Sequence, residues 1–354
     1  MTKFHHPKKL PPSLNPQKFY LELTEAALEL GNLNGLQKNL PDPKILIAPL
    51  LIKEATVSSK IEGTQSTVSD VLEYEATGKP RYKDTIEVSN YKKAMLMAIE
   101  ELKKRPLDVS FIKTLHQFLL EKSRGDEVKG KFRNDRVWIG IEKAPIEKAS
   151  YIPPEHFLIE EYMENLEQYI LSKDNEHPLV KIGIIHYQFE AIHPFFDGNG
   201  RLGRLLIPLY LYWKEVLFQP ILYISGYFEK YRSEYLNKLN GVDKTGEYEN
   251  WLKFFLASVR NQAKETQDLI NQILNLKGKV EIKAERIKSP YLEKIINTIF
   301  SKPILKSTDV KIESPTSRRL LRKFTELGIL KSLKIKGVKG KVYIFEDLVN
   351  LLSY

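Results

Sequence analysis

One stretch of the chain concentrates side chains that could do chemistry: Ala191-Ile192-His193-Pro194-Phe195-Phe196-Asp197-Gly198-Asn199-Gly200-Arg201-Leu202-Gly203-Arg204. An imidazole titrates near neutrality and can take a proton from a hydroxyl. The Asp197 carboxylate is a hard oxygen ligand, suited to Mg2+ shared with a phosphate. Gly198-Asn199-Gly200 reads as a tight turn, because glycine and asparagine accept positive φ at least cost. A glycine turn that feeds a helix presents free backbone N–H groups and the positive end of a dipole, which is an anion site. Arg201 and Arg204 lie close to one face of that first turn, and guanidinium binds phosphate through paired, charge-assisted hydrogen bonds. Cations at a helix N-terminus oppose the dipole, so an anionic partner is expected there. Each feature alone has a plainer use, as a helix cap, a turn or a solvated charge. Their meeting in one short stretch points to handling a nucleotide.

The elements that must hold these groups are helical. Val180, Ile184, Phe189 and Ile192 recur at helical spacing, which puts His193 at a helix C-terminus. Pro194 biases its predecessor away from helical angles and stops the helix. A second apolar helix is expected over residues 202–217, with Pro208 as an interruption. His186 lies seven residues before His193 but lacks a third ligand at metal spacing, so it reads as core support. Upstream, Leu50, Leu51 and Ala55 give a helix from about residue 44, which Gly63 stops.

With these residues in view, a family resemblance can be stated. His193-Pro194-Phe195-x-x-Gly198-Asn199-Gly200-Arg201-x-x-Arg204 resembles, completely, the signature of the Fic-domain proteins. Asp197 fits the family's acidic position, and the likeness extends more loosely from about Pro43 to Ala257. The resemblance implies a protein adenylyltransferase, moving AMP from MgATP to a Ser, Thr or Tyr hydroxyl of a target protein or of the chain itself. It implies His193 as the catalytic base. ATP contacts would come from His193, Gly198, Asn199, Gly200, Arg201, Leu202, Gly203 and Arg204. Asn199 and the turn amides would meet the α-phosphate, Arg201 and Arg204 the β- and γ-phosphates, and Asp197 the Mg2+.

Three further features gain meaning from the same resemblance. Ser58-x-x-x-Glu62-Gly63 looks like the inhibitory motif of one Fic class, in which Glu62 would pair with Arg204 and take the place of the γ-phosphate. The same carboxylate could position a water and favour removal of AMP. An aromatic helix lines the nucleoside pocket in the family; Tyr235 is the match and Tyr231 the second choice, although Tyr235-Leu236 stands where two tyrosines are common. Residues 137–141 alternate in strand fashion, with 149–152 as a partner. This hairpin falls where Fic proteins carry a flap that registers the target's backbone, a general mode of peptide recognition.

The 354 residues, 42% hydrophobic, support a sizeable core and two or three domains. Absence of cysteine excludes disulfides, a thiolate nucleophile and cysteine zinc sites. There is no signal-peptide pattern at the start and no apolar run of membrane length, so a cytoplasmic protein without a membrane partner is expected. The net charge of +10 is uneven: residues 279–354 hold 17 Lys and Arg against 8 Asp and Glu, leaving the rest near neutral. Within that block, helices at 291–300 and 314–327, then strands at 329–333 and 341–345, resemble a winged helix. Thr316, Ser317, Arg318, Arg319, Arg322 and Lys323 would lie on its recognition helix, and Lys334, Lys336 and Lys339 on its wing. DNA through 279–354 is one partner reading; protein contact or a homodimer is the other. The expected architecture is mainly α, a Fic-type helical core with a β-hairpin flap plus a C-terminal winged-helix domain. Its divisions are an N-terminal helical region 1–110, a catalytic core 111–257, a helical linker 258–287 and the winged-helix-like domain 288–354. The rival function, of another class, is a DNA-binding regulator whose Fic core senses a nucleotide.

Overall fold

Helix-spaced apolar residues run through most of the sequence, and the computed structural model is correspondingly mainly helical. It describes residues 4–38, 44–140, 145–335, 337–338 and 340–353. In chain order come α1 (Tyr20–Lys38), α2 (Lys44–Ile61), α3 (Val68–Thr77), α4 (Thr85–Glu101), α5 (Val109–Leu120), α6 (Ile159–Leu171), α7 (Pro178–Ile192), α8 (Asn199–Trp213), α9 (Ser225–Lys230), α10 (Arg232–Thr245) and α11 (Glu249–Ala284). The C-terminal part follows as α12 (Leu292–Ser301), β1 (Ile304–Lys306), α13 (Ser314–Glu326), β2 (Lys331–Leu333), β3 (Val342–Ile344) and α14 (Glu346–Ser353).

The centre is α7, apolar on nearly every side and buried accordingly. It packs on α8, α6 and α11, while α2 and α4 cover the start of α8. Trp251, Phe254 and Phe255 of α11 are buried here. Helix α8 begins at Asn199, passes straight through Pro208 and ends at Trp213 rather than near Leu217. Proline removes one ladder hydrogen bond, and the complete burial of Leu205, Ile207 and Leu209 around it outweighs that loss. Helix α11 likewise runs past Gly278 to Ala284. Val280 and Ala284 continue its buried stripe, which overrides a glycine cost of about 1 kcal/mol. The expected linker is thus the second half of a packed helix that lies along α1.

Two strand expectations change in form. Residues 139 and 151 meet in one isolated antiparallel bridge, with Ile139 N donating to Tyr151 O at 2.9 Å and Ser150 N to Ile139 O at 2.8 Å. Residue 141 of the expected strand lies outside the described residues. In the C-terminal part, β1 joins the expected pair to give an antiparallel sheet of order β1-β3-β2, and α14 closes it. Its core is built by Ile299, Phe300, Leu305, Leu321, Phe324 and Phe345. Ser314 is the first residue of α13, after Glu313, whose side chain makes no capping bond. Lys336 and Lys339 lie outside the described residues. This unit docks on the helices around the Ser58–Glu62 segment: α12 packs on α2, β1 and α14 pack on α3, and Lys79 Nζ donates to Gly337 O at 2.5 Å.

Candidate active site

The turn between α7 and α8 is fixed by its own residues. His193 caps α7 in the left-handed region at φ 49° and ψ 60°, a conformation that strains a residue carrying a Cβ. Gly198 turns the chain at φ 79° just before α8. The Asn199 side chain accepts from Phe195 N at 2.9 Å and donates to Phe195 O at 2.8 Å. Its amide therefore staples the turn, and Asn199 is buried. Phe195 is buried and stacks on His116 at 3.8 Å, while Phe196 is exposed. His116 accepts from Gly130 N at Nδ1, which leaves Nε2–H to donate to Asp197 O at 2.9 Å.

Around this turn the chain meets its arginines with its own acids. Arg204 Nε donates to Ser58 Oγ at 2.9 Å, and Nη2 donates to Ser58 O at 2.8 Å and Glu62 Oε1 at 2.7 Å. Arg201 Nη1 donates to Glu87 Oε2 at 2.6 Å, and Nη2 approaches Asp197 Oδ1 at 3.4 Å. Both arginines are buried. Glu62, one residue beyond α2 and followed by Gly63 at φ 91°, is 38% exposed on its outer side. Its carboxylate lies directly over Gly200: a Cβ there would sit 2.3 Å from Oε1. Only glycine permits that approach, and the carboxylate thereby sits at the positive end of α8. Burial pushes the Glu62 carboxyl up, but Arg204 and Arg201 outweigh it and hold it below the usual range.

The bases and acids nearby are set by the same burial. His193 is half-buried, and burial with the Arg133 charge pushes its imidazole down to about 4, so the ring is neutral and able to accept a proton. Anionic phosphates beside it would raise that value. Glu190, one turn earlier on α7, abuts Gly203, and burial raises its carboxyl to about 7 against the pull of Arg204. Glu54 and Ser58 lie four residues apart on one side of α2, and Glu62 follows at the same spacing just past its end. Glu54 bonds Ser225 and Tyr91, and burial raises it to about 7.

Asp197 Oδ1 accepts from Gly198 N at 2.7 Å and Oδ2 from Arg124 Nε at 2.9 Å. Among the described residues no group of three or more His, Asp or Glu could hold a metal. One carboxylate fits a Mg2+ that takes its remaining ligands from phosphates and water, not an ion caged by protein.

Leu202 is buried in the first turn of α8, and Gly203 O meets His186 Nδ1 at 3.1 Å. Tyr235 is also buried, its hydroxyl 2.9 Å from His186 Nε2 and its ring stacked on Phe228 at 4.3 Å. Tyr235 thus has a core role, while Tyr231, the second choice, is 37% exposed. His186 supports the core as its position suggested, held well down, at about 3, by burial.

Comparison with known proteins adds the frame. Residues 20–100 match the Fic/DOC family N-terminal description, and residues 106–211 match the Fic/DOC family description. The chain belongs to the Fic/DOC family. Over 116 residues it is 33% identical to "Protein adenylyltransferase Fic" of Nematostella vectensis, covering 32% of this chain and 24% of that one. Over 80 residues it is 34% identical to the protein of that name in Drosophila melanogaster, covering 22% and 14%. These matches span a quarter or less of the relatives' own lengths. A crystal structure of a Fic family protein from Desulfovibrio desulfuricans G20 superposes with TM-score 0.60 at 21% identity, covering 95% of this chain and 98% of that one. C. elegans Fic-1 (residues 134–508 of that protein) gives 0.55 at 18% identity over 73% and 75%. At these identities the two structures share the Fic fold. No helix among the described residues is long and apolar enough to cross a membrane.

Proposed function

We propose that this Fic chain transfers AMP from MgATP to a Ser, Thr or Tyr hydroxyl of a target protein, itself included, and that Glu62 restrains the reaction. The observation that carries the proposal is the Glu62 carboxylate on Arg204 above Gly200, an anion already held where a phosphate would be bound. The names of the adenylyltransferase relatives support the choice of reaction. In it, the neutral His193 ring takes the hydroxyl proton as the oxygen attacks the α-phosphorus, and the bond to pyrophosphate breaks. The turn amides at the start of α8 face the charge that builds on the α-phosphate. Arg204, released from Glu62, and Arg201 hold the outer phosphates. Asp197 would hold Mg2+, which neutralises phosphate charge when bound. The segment around the 139–151 bridge, with Trp138 exposed beside it, suits a target peptide. The nucleoside contact through Tyr235 forms no part of the proposal, because that ring is buried. Glu62 could also position a water for removal of AMP.

The test is labelled ATP with Glu62→Gly and Glu62→Gly/His193→Ala proteins in a lysate, read by mass spectrometry. Loss of the imidazole should lower AMP incorporation by ~10²–10⁴-fold, the usual reach of a general base. Transfer that persists in the double variant would overturn the assignment.

A second reading has its own observation. A groove of about 850 Å3 in the C-terminal unit is lined by Lys306, Arg318, Arg319, Arg322 and Lys341, and among the described residues no acidic side chain lines it. The arrangement of α13 beside the β2–β3 pair supports a winged helix that binds DNA, with the Fic core as its nucleotide sensor. A salt-dependent gel shift by the full chain supports this reading, and its absence at low salt removes it.

A further inference from the structure

We propose that Arg133 is a positioning residue for the transfer reaction: it locks the catalytic histidine to the stems of the target-docking segment, so that ring and docked peptide share one frame. This rests on the function proposed above. A helix end leaves its last carbonyls without intrahelical partners, and at the end of α7 the carbonyls are taken up from the segment around the 139–151 bridge. Tyr151 Oη donates to Ala191 O at 2.7 Å. Arg133 Nη2 reaches Ile192 O at 3.4 Å, Arg133 Nε donates to His193 O at 2.8 Å, and Arg133 N donates to Pro194 O at 2.9 Å. Four consecutive carbonyls under the strained His193 are thus held by two residues. Tyr151 is itself one side of the bridge with Ile139, and Arg133 precedes the other side. The same guanidinium also donates to Asp135 O at 3.2 Å and Pro154 O at 2.6 Å, one on each side of that bridge.

Arg133 is 3% exposed, and the acceptors of its guanidinium are all backbone carbonyls. A buried cation normally needs a carboxylate. Here the negative end of the α7 dipole supplies the opposing charge. The arrangement also acts on the ring. The charged groups that face His193 are Arg133 from the loop before the bridge, Glu62 from the end of α2 and Asp197 from the turn, with the Glu190 carbonyl on its own helix. Arg133 is the cation among them, and it favours the neutral imidazole that the reaction needs, against the two carboxylates.

The experiment uses full-length Glu62→Gly as parent, with Arg133→Gln, Arg133→Lys and Tyr151→Phe added singly. Two readouts are taken: the titration of His193 by NMR of labelled histidine, and kcat and KM for AMP transfer. Arg133→Gln should move the His193 titration, and with it the acidic limb of the pH–rate profile, to higher pH. Its kcat should fall about 10²-fold, the scale of an ångström-sized misplacement, while KM for MgATP stays near the parent's. Arg133→Lys keeps the charge but not the fork, so kcat should fall with the titration unmoved; this variant carries the test if Arg133→Gln does not fold. Tyr151→Phe should behave as Arg133→Lys does, more weakly. An active parent whose Arg133→Gln variant keeps both titration and kcat overturns the inference, as does Arg133→Lys at full kcat. A parent that transfers no AMP, with the His193 titration still moved by Arg133→Gln, refutes the proposed reaction and leaves the clamp standing.

Discussion

Two groups of arginines divide this molecule. Arg133, Arg201 and Arg204 are buried at the α7–α8 turn and are met by the chain's own carbonyls and carboxylates. Arg318, Arg319 and Arg322 stand exposed on α13 beside a groove that, among the described residues, has no acidic lining, and of the three only Arg322 reaches a described acid, Glu326, at 3.5 Å. The first group is structural until a partner is displaced. The second is ready for an anion that the chain does not supply. One residue type therefore serves as a held charge in one place and an offered charge in the other, and burial decides which.

The comparison can be broken most sharply at its buried side. Glu87→Ala takes from buried Arg201 its nearer carboxylate and leaves only the longer approach to Asp197, and urea unfolding should report a loss of about 3 kcal/mol. An unchanged midpoint would mean that the pair is not formed. A smaller effect comes from Glu54, whose carboxyl is raised to about 7 by burial. Unfolded, it releases its proton near about 4.3, so between those values the unfolded chain binds fewer protons and stability falls as pH rises. Glu54→Gln cannot ionise. Relative to wild type it should gain on the order of 2 kcal/mol on going from pH 5 to pH 8, and parallel stability curves would refute this. The smallest effect on stability belongs to the exposed side. Arg319→Ala should change stability by less than about 0.5 kcal/mol. If the groove takes DNA, the same change should reduce the salt slope of binding by about 1. A large loss of stability would show that this face is not a free surface.

What the sequence could reveal follows from chain distance. The signature lies on one turn, so residue types and spacing alone indicate a base, an anion site and two arginines. Glu62 and Ser58 sit far from Arg204 in the chain, and only the family motif linked them. Glu54 could have been found from its spacing, four residues before Ser58 on the same side of α2. Glu87, His116 and Arg133 could not, because α4, α5 and the loop after residue 128 bring them in with no local pattern. The turn staple made by the Asn199 side chain was not legible in the sequence, because its type fits phosphate binding as well, and only the geometry shows its bonds to Phe195. Pro208 misled for the opposite reason: a local propensity cost of about 3 kcal/mol yields to the burial of Leu205, Ile207 and Leu209 around it.

The central claim is that a carboxylate of the chain itself occupies the phosphate cradle. Rates of AMP incorporation from labelled MgATP, measured side by side for wild type and Glu62→Gly, test it most directly. Clearly faster labelling by Glu62→Gly is the predicted result. Equal rates in two folded, active proteins would contradict it.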